Sequence, residues 1–461
     1  MVSPSLSCRV CSSTCSLQTL VRDGLISISA HSSAPQSIFF SSLRTRPAWS
    51  LFPHHALNRE SRKSFHSTPN RRSAPPPSRI SYRVAVSSSG KGRRFHPLKN
   101  AYNFDPSVSD AIGVSTDKNQ AIRRRSRPDS GEDAFFVSRI GTHRQGEQGP
   151  DEAEAVAFAV ADGVGGWTES RVDPADFSHG ICGYMADTAL AWDQTADKLR
   201  PKQLLQSGYD QVVADPHIKA GGSTASVGVA LPDGRVELAN LGDSGSVLLR
   251  LAAVHHYSTP QTHGFNTPYQ LSLIPAKMRA QASTFGGAYL EDFPRDASVT
   301  NVQVQHGDVL ILATDGVFDN LNNQDILKLV SSRMLLTGAW TATADYGIGV
   351  SDNLRELTTP GGLASAFPPP SGPSKAHHGS KGKDKDLSSH PESPLTLQSL
   401  LAASIAGEAK VASVDFRRDG PFAKEAQRYY PGDYYRGGKV DDICALVLVA
   451  IDESIVGNDS K

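Results

Sequence analysis

Three apolar segments that each end at, or begin from, an aspartate constrain the fold of this chain of 461 residues most strongly. Residues 156–161 lead into Asp162, residues 309–313 end two residues before Asp315, and Asp441 and Asp442 directly precede the apolar residues 443–451. Apolar runs this short, bounded by turn residues, are typical of buried strands. A carboxylate at the end of a rigid strand, beside a glycine that permits close approach, suits a hard cation. The sequence therefore predicts buried strand ends that carry aspartates.

The charge distribution separates the first hundred residues from the rest. Residues 1–100 contain 15 basic and two acidic residues, although the whole chain has 47 of each. Residues 101–461 therefore carry 32 basic and 45 acidic residues, a net charge of −13. An acidic body offers no surface for nucleic acid, so we expect no nucleic-acid partner.

The basic leader predicts a targeting segment. A stretch rich in arginine and serine and nearly free of acids is typical of a mitochondrial transit peptide, and a basic disordered arm is the alternative. We assign residues 1–92 to a transit peptide and disordered leader, residues 93–455 to one domain and residues 456–461 to a disordered tail. Residues 360–394 are rich in proline, serine, glycine and lysine and predict a disordered insertion. No apolar run is long enough for a transmembrane segment.

The pattern of the remaining chain predicts an α+β fold. Strands are expected at 133–138, 156–162, 225–231, 236–241, 246–251, 298–304, 309–314 and 440–451, and helices at 174–190, 202–213, 322–336 and 395–411. We expect residues 225–251 to form an antiparallel meander, the strands 298–304 and 309–314 to pair, and residues 255–295 to be loop. Strands and helices interleave without regular alternation, which favours antiparallel sheets with helices packed outside.

Acidic residues recur at the turns beside these strands. They are Glu132, Asp133, Asp162, Asp243, Asp315, Asp319, Asp441 and Asp442. Taken singly, each is most simply a turn or cap residue. Taken together, with no matching Arg or Lys nearby in sequence, they would repel one another unless cations neutralise them. Ligation by oxygen alone indicates Mg²⁺ or Mn²⁺ rather than zinc.

Six motifs around these residues occur in the order found in type 2C metal-dependent serine/threonine protein phosphatases, a family that the chain resembles over residues 100–452. They are Gly-Glu-Asp-Ala at 131–134, Ala-Asp-Gly-Val-Gly-Gly-Trp at 161–167, Gly-Ser-Thr-Ala at 222–225, Leu-Gly-Asp-Ser-Gly at 241–245, Ala-Thr-Asp-Gly-Val-Phe-Asp at 313–319 and Lys-Val-Asp-Asp-Ile at 439–443. Residues 164–167, residues 261–271 and the pair Pro421-Phe422 upstream of 437–439 are similar to the mitochondrial branch of that family.

The resemblance implies a four-layer α-β-β-α sandwich of two antiparallel sheets flanked by helices. It also implies metal ligands: Asp162 would bridge two Mn²⁺ or Mg²⁺ ions, with the Gly163 carbonyl on one of them. Asp315 and Asp441 would complete the shell of the first ion, and Glu132 would act on the second through water. Asp243 and Asp319, with Asp315, would form a weaker third site, and Asp133 and Asp442 would support the ligands from behind.

Two positions depart from the family pattern. Val164 stands where many members carry a histidine that is proposed to protonate the leaving group. Pro128 stands where the phosphate-binding arginine is usual, so Arg127 or Arg125 is the nearest substitute, and a surface role for either is the alternative.

These features predict a metal-dependent protein serine/threonine phosphatase of the mitochondrial matrix. Two cations can activate a water for direct attack on phosphorus, so no phosphoenzyme is expected, and catalysis would depend on Asp162, Asp315 and Asp441 through the bound metals. By resemblance, the partners would be phosphorylated mitochondrial proteins, coenzyme Q biosynthesis enzymes among them. The alternatives are a non-catalytic regulator with the same fold and a phosphatase of a small phosphorylated metabolite.

Overall fold

The computed structural model describes residues 79–141, 154–363 and 395–456, apart from residues 116, 118, 285, 286, 288, 346 and 433. The chain divides into two units, Met1–Arg72 and Ser73–Lys461, and all described residues belong to the second. The predicted leader up to residue 78, most of the predicted insertion and the predicted tail from residue 457 lie outside the described residues.

Two six-stranded antiparallel sheets form the centre of the fold. The strands are β1 (Ile80–Ser89), β2 (Ala101–Phe104), β3 (Ala111–Ile112), β4 (Asp133–Arg139), β5 (Val156–Asp162), β6 (Gly221–Ser223), β7 (Ala225–Ala230), β8 (Arg235–Leu241), β9 (Gly245–Arg250), β10 (Ala253–Tyr257), β11 (Thr262–Gly264), β12 (Thr267–Pro268), β13 (Leu271–Leu273), β14 (Ser298–Gln303), β15 (Val309–Ala313), β16 (Trp340–Ala342), β17 (Ile348–Val350) and β18 (Ile443–Asp452). Sheet A has the order β10-β9-β15-β18-β1-β2, and sheet B has the order β14-β8-β7-β5-β4-β3. The other six strands form two-stranded sheets, β11 with β12, β13 with β6 and β16 with β17.

Helices cover the outer face of each sheet. The α-helices in the described residues are α1 (Gln120–Arg125), α2 (Pro174–Leu190), α3 (Pro201–Ala214), α4 (Ala276–Thr284), α5 (Asp315–Phe318), α6 (Asn323–Leu336), α7 (Leu354–Leu357), α8 (Leu397–Ser413), α9 (Pro421–Tyr429) and α10 (Glu453–Val456). Their starts follow sequence signals: Asp173 caps α2 ahead of Pro174, and Asn322 caps α6.

Three apolar clusters establish the layer order. One lies between the two sheets and includes Phe135 and Phe158 of sheet B and Leu446 of sheet A. A second joins sheet A to α6 and α8, and a third joins sheet B to α2 and α3. The predicted four-layer sandwich of two antiparallel sheets flanked by helices is therefore confirmed. Among the described residues, no helix combines the length and the apolar character that crossing a membrane requires.

The predicted pairing of the strands at 298–304 and 309–314 is wrong. β14 pairs with β8 at the edge of sheet B, whereas β15 lies between β9 and β18 in sheet A. β15 is buried throughout, whereas four of the six residues of β14 are exposed, so β15 suits a central position and β14 an edge position. The predicted meander is also interrupted, because the chain leaves sheet B after β8 and enters sheet A at β9.

Two further predictions need correction. β1 lies inside the segment that we assigned to the leader, yet it pairs with β18 along ten residues and with β2 on its other edge. The basic residues around β1 hid a central strand, and the domain begins before residue 93. Residues 255–295 contain β11, β12, β13 and α4 as well as loop, because strands of two or three residues are too short to show a period.

Candidate metal centre

The predicted acidic residues meet where strands of the two sheets end. In sheet B, Asp162 is the last residue of β5, and Asp133 is the first residue of β4. In sheet A, Asp315 follows β15 by two residues, and Asp441 precedes β18 by two residues. Asp243 lies in the short connection by which the chain passes from sheet B to sheet A. The topology therefore brings carboxylates from five separate chain segments to one end of the sandwich.

Three of these carboxylates are close enough to share one ion. Asp162, Asp243 and Asp315 each offer one oxygen, and the three oxygens lie within 4.8 Å of one another. Asp133 stands directly opposite Asp162 in the β4–β5 ladder, which places both side chains on the same face of sheet B. An all-carboxylate set of this kind fits Mg²⁺ or Mn²⁺ better than zinc.

Asp133 and Asp442 hold the backbone and side chains around this cluster. Asp133 is buried, and its Oδ2 accepts a hydrogen bond from the Thr314 hydroxyl at 2.8 Å. Asp442 accepts from the backbone N–H of Glu132 at 2.8 Å and from the backbone N–H of Lys91. Asp442 thereby joins the start of β18 to the turn that carries Glu132.

Glycines permit two close backbone approaches in the centre. A Cβ at Gly163 would meet the carbonyl oxygens of Glu132 and Pro174 at 2.8 and 2.9 Å. Gly131 has a φ of +71°, and a Cβ there would collide with the carboxylate of Asp442. Side chains at either position would push apart the segments that carry the acidic residues.

Lys439 belongs to the acidic centre, although the sequence interpretation assigned it no role. Its Nζ lies 2.6 Å from Asp315 Oδ2, 2.6 Å from Asp319 Oδ2 and 3.1 Å from Asp441 Oδ2. Our premise that the acidic cluster lacks a basic partner is therefore wrong. The available signal was a lysine two residues before Asp441, at the start of a buried strand.

The crowding of carboxylates raises several pKa values. Burial, followed by the charges of Asp315 and Asp133, raises the pKa of Asp162 well above its ordinary value. Burial and the charge of Asp315 raise the pKa of Asp243 to about 7. Burial and the charge of Asp442 raise the pKa of Glu132 to about 7.

Asp315 behaves differently from its neighbours. Burial alone would raise its pKa, but the nearby ammonium group of Lys439 lowers the pKa below the ordinary value. Lys439 therefore stabilises the negative charge of Asp315. The negative charges of Asp162, Asp243 and Glu132 are not stabilised in the same way, and bound cations would stabilise them.

Arg127, the predicted phosphate-binding residue, is anchored to the beginning of α2. Its Nη2 lies 2.7 Å from Asp176 Oδ1, and its Nη1 lies 3.5 Å from Asp173 Oδ2. It lines a cavity together with Arg123, Arg124 and His179. The structure thus places Arg127 beside α2 rather than in direct contact with the carboxylate cluster.

The segments similar to the mitochondrial branch lie side by side. The rings of Phe265 and Phe422 are 5.1 Å apart, and Phe265 also contacts Tyr429 and Tyr430. The ring of Phe422 lies 5.0 Å from Lys439 Nζ. These aromatic residues therefore form one wall next to the acidic centre.

The comparisons with known proteins agree on one family. The family model for protein phosphatase 2C matches residues 141–357. Protein phosphatase 2C homolog 7, mitochondrial, of Saccharomyces cerevisiae is 34% identical over 242 residues, which are 52% of this chain and 66% of that protein. Protein phosphatase PTC7 homolog of Homo sapiens is 36% identical over 201 residues, 43% of this chain and 59% of that protein.

A solved structure of the photosystem II phosphatase PBCP aligns with 73% of this chain and 97% of that chain, at 22% identity and a TM-score of 0.44. For several curated relatives, the match spans less than two thirds of the relative's own length. Protein phosphatase PTC7 homolog fig of Drosophila grimshawi is 32% identical over 253 residues, 52% of this chain, and there the match spans 74% of the relative. The chain belongs to the protein phosphatase 2C family.

Proposed function

We propose that this chain is a metal-dependent protein serine/threonine phosphatase that hydrolyses phosphoserine and phosphothreonine. The observation that carries the proposal is the convergence of Asp162, Asp243 and Asp315 at the end of the sandwich, with oxygens within 4.8 Å of one another. Membership of the protein phosphatase 2C family supports the reaction class.

The residues of the centre fit divalent cations. Asp243 Oδ1 and Asp133 Oδ1 are buried and have no hydrogen-bond partner among the described residues, as expected of oxygens directed at an ion or at water bound to one. Burial and neighbouring negative charge raise the pKa of Asp162 and Asp243, so the anionic cluster needs more positive charge than Lys439 supplies. Both observations favour hard cations bound by oxygen.

In this proposal, Asp162, Asp315 and Asp441 hold the ions, with Glu132 and the Gly163 carbonyl on the side of sheet B. Asp243 and Asp319 border the same centre. When bound, two divalent cations lower the pKa of a water molecule and stabilise negative charge on the phosphoryl oxygens. The rigid strand ends hold the carboxylates in position before substrate arrives, which removes the cost of arranging them during the reaction.

The remaining residues of the centre act by position. Asp442 fixes the turn of Glu132 through the backbone N–H group, and the Thr314 hydroxyl orients Asp133. Val164 cannot donate a proton, so this position supplies no acid for the leaving group. Because no nucleophilic side chain is required, we expect hydrolysis without a phosphoenzyme.

We propose the mitochondrial matrix as the location and phosphorylated mitochondrial proteins as the substrates, coenzyme Q biosynthesis enzymes among them. The basic, acid-poor first hundred residues support mitochondrial import. The yeast relative is itself named as mitochondrial. Expression of the full chain with a C-terminal fluorescent tag, compared with a chain lacking residues 2–72, tests this location; identical distributions of the two would contradict it.

The activity test uses the full chain. Phosphate release from a phosphothreonine peptide and from an aryl phosphate is measured in EDTA, Mg²⁺ and Mn²⁺, beside Asp162→Asn, Asp315→Asn and the exposed control Asp193→Asn. We expect metal-dependent turnover of both substrates that both centre variants lose and the control keeps.

Other outcomes separate the alternatives. Folded protein that binds metal but releases no phosphate would overturn the proposal in favour of a non-catalytic regulator. Turnover of small phosphate esters alone would replace protein substrates with a phosphorylated metabolite. Activity that persists in both centre variants would refute the assigned site.

A further inference from the structure

The ammonium group of Lys439 lies inside the candidate metal centre. Its ammonium has three donors, and three carboxylate oxygens from Asp315, Asp319 and Asp441 lie 2.6, 2.6 and 3.1 Å away. The side chain of Lys439 is 17% exposed. The ammonium donates hydrogen bonds to Asp315 and Asp319 and forms an ion pair with Asp441. It therefore occupies a place among partly buried carboxylates that a small cation would otherwise take.

The backbone of Lys439 is fixed by the same segment that supplies its partners. Asn320 donates from Nδ2 to the carbonyl oxygen of Lys439 at 2.9 Å and accepts from the N–H of Lys439 at 2.9 Å. Asn320 is buried and also donates to the carbonyl oxygen of Gly316 at 2.8 Å. The segment from Asp315 to Asn320, which includes α5, therefore holds the lysine and its two nearest carboxylates in one unit.

The aromatic wall closes the remaining side of the ammonium. The ring of Phe422 lies 5.0 Å from Nζ, within the range of a cation–π contact, and Tyr435 packs against that ring with centroids 5.1 Å apart. The Tyr435 hydroxyl donates to the carbonyl oxygen of Gly438 at 3.1 Å, next to Lys439. These contacts restrict the ammonium to the carboxylate side of the wall.

We propose that Lys439 is a tethered cation that permanently occupies one cation position of the centre, so that Asp319 binds the chain's own ammonium instead of a metal ion. The centre then has two parts that share Asp315 and Asp441. Asp162, Asp315 and Asp441, with Asp243 beside them, form the part available to divalent cations, and Lys439 fills the part around Asp319. The ammonium limits the number of divalent cations that the chain binds.

This arrangement has a consequence for charge. An ion at Asp319 would have to displace Lys439 and leave a partly buried ammonium without partners, which opposes binding. Removing the ammonium would leave Asp315 and Asp319 without an ion-pair partner among the described residues, and Asp441 with only the exposed Lys91 at 3.5 Å. The mutual repulsion of the three carboxylates would then favour an additional cation. The two states differ in ion stoichiometry, which can be measured without any assay of turnover.

The test counts bound Mn²⁺ in the full chain by equilibrium dialysis with elemental analysis and by titration calorimetry. Lys439→Met removes the charge and keeps the length of the side chain, whereas Lys439→Arg keeps the charge. We expect Lys439→Met to bind one more Mn²⁺ per chain than the wild type, or the same number about tenfold more tightly, and Lys439→Arg to match the wild type.

A double variant protects the test against misfolding. Lys439→Met with Asp319→Asn removes the ammonium together with the carboxylate that we assign to it, so the local charge stays balanced. We expect this variant to fold and to return to the wild-type number of ions. Equal ion numbers and affinities in the wild type and in folded Lys439→Met would overturn the inference.

The inference rests on the proposed metal centre, but the two fail differently. If the wild type bound no divalent cation and Lys439→Met bound one, the tethered cation would stand and the proposed function would fall. If Lys439→Met left ion binding unchanged while the wild type showed metal-dependent phosphatase activity, the function would stand and the tethered cation would fall.

Discussion

Replacement of Asp243 by asparagine should stabilise the metal-free protein at alkaline pH. Asp243 lies where the chain crosses between the sheets, and within the described part of the chain its Oδ1 has no hydrogen-bond partner. Burial beside Asp315 raises its pKa from 3.8 to about 7. The folded chain therefore keeps a proton that the unfolded chain releases near pH 4. Without cations, the contribution of Asp243 makes folding less favourable as the pH rises from about 4 to 7.

The size of the effect follows from this pKa difference. At about 1.4 kcal/mol per pKa unit, a shift of roughly three units gives an upper bound of about 4 kcal/mol at pH 8. Because Asp243 shares its charge environment with Asp315 and Lys439, we expect about half of that, about 2 kcal/mol. By the same relation, the advantage of Asp243→Asn should shrink to less than half at pH 5, where the folded wild type carries the proton itself.

Urea denaturation in EDTA at pH 5 and pH 8 measures this difference, with the exposed Asp193→Asn as the control. Saturating Mn²⁺ should reverse the order at pH 8, because the wild type gains binding energy that the asparagine variant partly loses. The reasoning would be refuted if Asp243→Asn in EDTA were no more stable than the wild type at pH 8, or if its advantage were the same at both pH values.

Three other perturbations address the framework of the site. Phe158→Ala, between the two sheets, should lower the free energy of unfolding by about 3–5 kcal/mol in urea, whereas Phe416→Ala, 74% exposed, should change it little. Gly131→Ala combines a positive φ with a collision at Asp442 and should weaken Mn²⁺ binding measured by calorimetry; unchanged affinity would contradict the close approach. A chain that begins at residue 95 lacks β1 and should show no cooperative unfolding; a cooperative transition equal to that of the full chain would show that β1 is dispensable.

The ends of the strands could be predicted from the sequence because the residues change abruptly there from apolar to acidic or glycine. The change from the apolar run 156–161 to Asp162 and glycine predicts both the end of β5 and the location of a carboxylate. The starts of α2 and α6 could also be predicted, because Asp173 and Asn322 have side chains that accept hydrogen bonds from the free backbone N–H groups of the first helical turn. Each of these signals is local, so the neighbouring residues suffice to recognise it.

The pairing of strands could not be predicted from local sequence in the same way. A short turn joins β14 to β15, and adjacent strands with a short turn usually pair, yet here the chain changes sheets. A strand takes a central position when both of its faces are covered. That coverage depends on helices far away in sequence, such as α8 over sheet A. β1 was lost for a related reason, because the basic composition of the leader outweighed a pattern only ten residues long.

Lys439 shows how the same limit applies to a site. Its neighbours in sequence connect it only with Asp441, whereas its two shortest contacts are to Asp315 and Asp319, more than a hundred residues earlier. Those contacts exist because β15 and β18 are hydrogen-bonded neighbours in sheet A, which brings the loop after one strand against the loop before the other. A register shift of the two strands would separate the lysine from its partners.

The repulsion between the carboxylates of the metal centre links the stability of the sandwich to cation binding. The carboxylates are held together by strands whose apolar residues are fully buried, so the core supplies the free energy that offsets their repulsion. A divalent cation at about a hundred times its Kd would return about 2.7 kcal/mol to the folded state, which is similar to the expected penalty from Asp243 alone. Bound divalent cations should therefore increase the stability of the folded state as well as support catalysis. The tethered ammonium, which dialysis cannot remove, would keep the cation-free chain from bearing the full repulsion.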